Sequence, residues 1–368
     1  MRMPTAFSWL STPISVQTPV PRSTIASKAP LPQQGLQYVP ALDGLRAVAI
    51  LLVLVHHGLQ PLPFAGFLGV DIFFALSGFL ITTILLAELN RYDRIRLGLF
   101  YWRRAVRLYP ALLIAIVAIL PFGLLIRGSK HLFEVALAAT YLTPVAGQFF
   151  GKSGLTWLQT WSLGIEEIFY LIWPFTLILL FSRRVPGKWI VSLALGLILD
   201  GAQIVLASTG QDASYFLRAG GLFLGCSFAL WLAKHRDAHF APSWGYAGAL
   251  TIAFGVVTAG FWPALSSLAY IAAAAGTVAA IASIVAGSGN ASALKSVLSV
   301  PPVVYVGKIS YELYIWHYPM AILFMLAAGT DQLINVGWYA IPGSAVFAVI
   351  THHALAKPAA RWRKRFSD

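Results

Sequence analysis

Residues 47–55, 111–125, 171–181 and 267–285 carry no charged side chain, and several of these stretches sit inside apolar segments about twenty residues long. That length crosses a hydrocarbon core. Only 11% of the 368 residues are charged and 58% are hydrophobic, whereas roughly a quarter are charged in soluble domains. The expected fold is therefore an all-α, polytopic transmembrane helical bundle, since a segment in lipid must satisfy its own backbone hydrogen bonds. The apolar pattern places ten spans at about 40–59, 66–88, 106–126, 162–182, 188–207, 215–233, 243–262, 266–287, 303–327 and 333–355.

The net charge of +13 raises the question of nucleic acid, but the placement of the basic residues answers it. They fall in short loops between apolar segments, as the positive-inside rule requires of cytoplasmic loops, so the expected partner is the bilayer and not a nucleic acid. The same rule makes residues 133–141 a re-entrant segment. With it, the arginines of 91–107 and 183–184, Lys188, Lys234, Arg236, Lys295 and the basic residues of 357–365 share the cytoplasmic side with both termini. Arg127, Lys130 and Lys152 are left outside. Residues 1–36, rich in Pro, Ser and Thr without acids, read as a disordered cytoplasmic tail. The membrane domain is expected over 37–357 and a basic cytoplasmic tail over 358–368. Cys226, the single cysteine, reads as packing.

Ionisable groups inside spans cost about 2.5–3.5 kcal/mol at a helix centre, which makes them functional candidates. The first span holds Asp43, Arg46, His56 and His57, and the second Asp71. Glu166 and Glu167 follow Trp161 and Ser162 in the fourth, Arg218 lies in the sixth, Lys308, Glu312 and His317 in the ninth, and His352 and His353 near the inner end of the last. Arg46 and His57 are eleven residues apart, which sets them within about 20° of one helix face and roughly 16 Å apart along the axis. They can line one path. His56 points about 100° away from His57. The bland reading of all these groups is pairing between spans that holds the bundle together.

The segment 100–110, FYWRRAVRLYP, places Arg104 and Arg107 on one helical face beside Arg103. Guanidinium groups bind phosphates bidentately, and the neighbouring aromatics can stack on a purine. An interfacial helix drawn to anionic lipid is the alternative.

Together these pieces resemble the membrane-bound acyltransferase-3 family. The motifs are LDGLR at 42–46 followed by His57, GVDIFFALSGF at 69–79, RRAVRLYP at 103–110, TWSLGIEEIFY at 160–170 and GKISYELYIWH at 307–317. Each is weak alone, but five in the family's order are specific. The resemblance implies a catalytic role for His57, which stands in the family's spacing behind Arg46, with Asp43 and Glu166 beside them. It implies binding of an acyl-CoA donor, acetyl-CoA foremost, at Arg103, Arg104 and Arg107. By the same match Trp161, Ser162 and Glu166 fall at functional positions, while His317 marks a motif without an assigned role. Asp71 and Arg218, as ionisable groups within spans, join Trp161, Ser162 and His317 as the expected substrate-binding residues. Ile168 stands where relatives tend to carry Gln, and Ala356 where they carry the Glu of a Glu-x-Pro.

The implied chemistry moves an acyl group from a thioester to a hydroxyl of a glycan, a lipid-linked sugar or a small metabolite. Neutral imidazole at His57 serves as the general base, with a covalent acyl-imidazole as the variant. No zinc-type spacing, Gly-rich phosphate loop or Gly-x-Ser-x-Gly elbow is present, so no metal or permanently bound cofactor is expected. Many relatives fuse an esterase-like domain behind the membrane part. A chain ending at Asp368 is then expected to finish the reaction itself or to pass the acyl group to a separate partner. The rival from another class is a transporter or flippase, in which the same buried charges mark a solute path.

Overall fold

A computed structural model of the chain describes residues 38–59, 65–150, 156–209, 214–287, 292–330 and 332–364. The expected N-terminal tail, Lys152 and the end of the basic C-terminal tail fall outside the described residues. Among the described residues fourteen helices follow one another: α1 Pro40–Leu59, α2 Phe67–Tyr92, α3 Leu97–Arg127, α4 Lys130–Ala139, α5 Thr143–Phe150, α6 Thr160–Ser182, α7 Lys188–Ser208, α8 Gly220–Lys234, α9 Pro242–Phe261, α10 Ser266–Val285, α11 Ala293–Leu298, α12 Pro301–Lys308, α13 Ser310–Ala327 and α14 Ile334–Lys364. Short 3-10 turns, Tyr215–Ala219 and Pro263–Leu265, lead into α8 and α10. Among the described residues there is one isolated bridge, Phe240 to Gly287, and no strand.

Nine of these segments are long and apolar enough to cross a membrane, among the described residues. The expected span at 303–327 is not one of them. It is two helices parted at Ile309, and α13 carries Tyr311, Glu312, Tyr314 and His317, which lower its apolarity. Protein, not lipid, surrounds α13: Leu313, Tyr314, Ile315, Trp316, His317, Ile322 and Leu323 are all buried. By contrast α3, α7 and α9 expose Val117, Leu125, Ile198 and Leu250, an outward apolar surface that lipid covers without cost.

α1 and α2 run through both halves of the core. One half joins Ile50, Val53 and Phe74 to α3, α6, α8 and α13, and the other joins Leu45, Ala49 and Leu68 to α9 and α10. Close approach is what the small residues permit. A Cβ on Gly307 would collide with the Asp43 carbonyl, so the glycine is what lets α12 lie against α1 at the position where Asp43 points inward.

α4 has ten residues, about 15 Å, and cannot span. Arg127 donates to Glu134 at 2.6 Å and the Thr156 amide donates to the other Glu134 oxygen at 2.9 Å, which ties the segment to the end of α3 and the approach to α6. Tyr141, with φ 56°, then turns the chain into α5, and its ring packs 5.4 Å from Tyr109, well back along α3 from Arg127. The chain re-enters the bundle and α6 starts from inside it. α14 continues through Pro358 to Lys364, beyond the span expected from hydropathy.

Candidate functional site

The arginine motif does not lie on the bundle's surface as a separate interfacial segment. It forms the first third of α3, which runs antiparallel to α6: Tyr101 donates to the Leu171 carbonyl at 3.0 Å and Arg104 donates to Glu167 at 3.4 Å. The Arg104 guanidinium lies over the Tyr170 ring. One turn on, Arg107 is exposed, with Arg46, Arg104, Tyr170 and Asp43 near enough for their charges and dipoles to act on it. Arg103 points elsewhere, beside Arg96, Glu88 and Tyr92. Adjacent residues on a helix are about 100° apart, and that turn takes Arg103 out of the cluster.

Arg46 is held by Asp43, which accepts from Arg46 and from the Tyr38 hydroxyl, each at 2.8 Å. Burial, with the Asp43 charge beside it, pushes the Tyr38 phenol up, so it remains a donor. Asp43 has both oxygens occupied and serves as the anchor of Arg46. Lys308, the last residue of α12, sits over the Tyr38 ring at 5.4 Å.

From this cluster a column of polar groups runs along the inside of α1, α2, α6 and α13. Glu166 accepts from Ser77 at 2.8 Å and from Tyr170 at 3.1 Å. Further on, Tyr314 donates to the Gln159 carbonyl at 2.8 Å, so the Ser162 hydroxyl, 2.7 Å away, donates to Tyr314. Pro319 explains a second role of Gln159. A proline at that position has no N–H for the Ile315 carbonyl one turn back, and the Gln159 amide donates to that carbonyl at 3.3 Å.

The column ends on histidines. His57 Nδ1 lies 3.0 Å from the Val53 carbonyl, and His317 Nδ1 lies 2.8 Å from the Tyr314 carbonyl. A carbonyl only accepts, so in both rings Nδ1 carries the hydrogen and Nε2 keeps its lone pair. The ring of His57 is 5.1 Å from His317 and 5.0 Å from Tyr318. His56 turns instead to Phe67, 5.2 Å away. Its centre nevertheless stays 4.9 Å from that of His57, so the helical phase gives the two rings different neighbours while leaving them edge to face.

Asp71 and Arg218 form a buried ion pair at 2.5 Å, and Arg218 also donates to the Phe67 carbonyl at 2.8 Å. Its guanidinium lies 4.1 Å from the Tyr270 ring centre and 5.0 Å from that of Trp161, which stacks on Tyr215 at 4.5 Å. With its charge met and its faces covered, this group braces α2 against α8 and α10 behind the column.

Arg46, Arg104, Arg107, Glu166, Ser162, His57 and His317 thus share one internal column, while Arg103, Asp71, Arg218 and Trp161 stand around it. Sequence reasoning missed Ser77, Tyr170, Gln159 and Tyr314. Ser77, Tyr170 and Tyr314 lie inside the recognised motifs, so their hydroxyls were the available signal; Gln159 directly precedes one. Among the described residues no group of three or more His, Cys, Asp or Glu is placed to hold a metal ion.

Comparison with known proteins supplies the family. The Acyltransferase domain family, acyltransferase-3, matches residues 39–352, which takes in every element of the column. The peptidoglycan O-acetyltransferase OatA of Listeria monocytogenes is 32% identical over 315 residues, covering 78% of this chain and 50% of that protein. The O-acetyltransferase OatA of Staphylococcus aureus is 33% identical over 312 residues, covering 78% and 51%. The chain spans about half the length of these curated relatives. No solved structure matches it. The family match across almost the whole membrane bundle, with the five motifs converging on one polar column, identifies this multi-pass membrane protein as a member of the acyltransferase-3 family.

Proposed function

We propose that the chain transfers an acyl group, acetyl foremost, from acyl-CoA to a hydroxyl of a cell-envelope glycan. The observation that carries this reading is the arginine cluster. Three guanidinium groups, Arg46, Arg104 and Arg107, face one another, and among the described residues no carboxylate lies within ion-pair distance of Arg107. Like charges gathered in a cleft are stabilised by a bound anion, and the phosphates of a CoA thioester suit the fork geometry of arginine. The names of the relatives, a peptidoglycan O-acetyltransferase among them, favour a glycan hydroxyl as acceptor over a small metabolite.

His57 stands eleven residues from Arg46 on the same helix, about 16 Å along its axis. The donor's phosphates then sit at the arginine end while its extended pantetheine arm runs along the column to the histidines. There His57 Nε2 takes the hydroxyl proton, the oxygen attacks the thioester carbonyl, the C–S bond breaks, and the departing thiolate receives the proton. The arginine end faces the cytoplasm, where CoA thioesters are made, and both termini lie on that side of the cell inner membrane, in keeping with the positive-inside rule.

The test is the purified chain in lipid vesicles, given acetyl-CoA and peptidoglycan glycan fragments. The expected result is release of CoA thiol together with glycan ester detected by mass spectrometry. Absence of thioester consumption with every hydroxyl acceptor offered overturns the reading. The orientation is tested separately: cysteines placed by Arg94→Cys and Arg184→Cys should react with an impermeant thiol reagent only from the cytoplasmic side. Labelling of Arg184→Cys from outside would reverse it.

A further inference from the structure

His57 lacks the partner that a base in a desolvated site needs. Among the described residues no carboxylate lies within ion-pair distance of its ring, and its Nδ1 hydrogen is spent on the Val53 carbonyl. When His57 takes a proton, the resulting imidazolium sits in a low-dielectric interior, where an unmatched charge is costly.

His317 presents the complement. It is fully buried, its Nδ1 hydrogen is given to the Tyr314 carbonyl, and its Nε2 has no hydrogen-bond partner. A buried acceptor left unpartnered destabilises a fold, and a residue kept only for packing would avoid that loss with an apolar ring. The rings of His57 and His317 are centred 5.1 Å apart, and no hydrogen bond joins them. Across that spacing two nitrogens turned toward one another reach hydrogen-bonding separation, and bonds of this kind often close only when substrate is bound.

We propose that His317 is a positioning residue that works with His57 as one proton-holding pair. The inference rests on the acyl-transfer reading above. The hydroxyl proton passes to His57 Nε2 and is shared with the Nε2 lone pair of His317 in a charge-assisted N–H···N bond. The new C–O bond forms, the thioester C–S bond breaks, and the proton leaves the pair for the thiolate. His317 undergoes no net change. Its position is set by the α13 backbone, which accepts its Nδ1 hydrogen two residues before Pro319, so the lone pair is fixed before substrate arrives.

The experiment compares His317→Phe, His317→Gln and His317→Ala with His57→Ala, all in vesicles at matched amounts of folded protein. His317→Phe should keep KM for acetyl-CoA while kcat falls about 10–100-fold, within the range for losing help in a proton transfer. His317→Gln should lie between, because its amide oxygen accepts a hydrogen bond but cannot hold the proton. Added imidazole should restore turnover to His317→Ala, which leaves a cavity, and not to His317→Phe, which fills it. Benzene, similar in shape but without a lone pair, should restore nothing. Near-native turnover of His317→Phe, or rescue of His317→Ala by benzene as well as imidazole, overturns the pairing. An inactive His57→Ala beside a fully active His317→Phe overturns the pairing alone, whereas a wild-type chain that consumes no thioester overturns the acyl-transfer reading beneath it.

Discussion

The two ends of the polar column handle charge in opposite ways. At the arginine end Arg46, Arg104 and Arg107 stand among Asp43, Glu166 and Glu167, with Asp43 committed to Arg46 and Glu167 to Arg104, and the exposed Arg107 has no carboxylate within ion-pair distance among the described residues. At the histidine end, among the described residues, no carboxylate lies within ion-pair distance of His57, and both rings are oriented by neutral backbone carbonyls. A guanidinium left outside the ion pairs suits binding an anion that arrives already charged. Neutral imidazoles in an interior suit a proton that appears only during the reaction. Under the proposed function the contrast corresponds to a donor-binding end and a reacting end within one continuous bundle.

The sharpest way to break this contrast is at the reacting end. His57→Ala should insert, fold and bind donor yet lose about 10²–10⁴ in turnover, read as thiol release at matched folded protein. If donor affinity fell instead of turnover, the two ends would have to be exchanged. The brace behind the column should respond in stability. Asp71→Asn leaves Arg218 buried without its counter-charge, and breaking such a pair costs about 3–5 kcal/mol, visible as a lowered thermal midpoint in detergent. Replacing both partners with apolar residues of similar volume should recover most of that loss. A pair that bound substrate would instead lose KM with little change in midpoint.

At the binding end Arg107→Ala should raise KM for acetyl-CoA by about 10–150-fold, equivalent to one charge-assisted contact of about 1.5–3 kcal/mol. Its fold should be unaffected, since no carboxylate is left behind. The smallest effect is expected of His56→Ala: this ring packs on Phe67 as well as beside His57 and points about 100° round the helix from the Arg46 face, so turnover should fall by less than about tenfold. A loss equal to that of His57→Ala would mean that the helical phase of α1 is not what assigns the base.

Much of this was legible in the chain itself. Composition and charge-free segments determine a membrane bundle, because lipid admits only helices or closed barrels. The eleven-residue spacing of Arg46 and His57 determines a shared face, because a helix repeats every 3.6 residues. The five motifs carry the family. Where the local rules stopped, so did the sequence. Arg103 and Arg104 are neighbours in one motif, and only the packing of α3 against α6 decided that Arg104 joins the cluster while Arg103 turns to Glu88 and Arg96. Hydropathy drew one span through 303–327, and only the burial of α13 on nearly every side showed that a helix with Glu312 and His317 can stand inside the bundle shielded from lipid. The His57–His317 pairing joins positions on α1 and α13. No periodicity reaches between helices so far apart in the chain, so the site's chemistry waited on which faces the fold brings together.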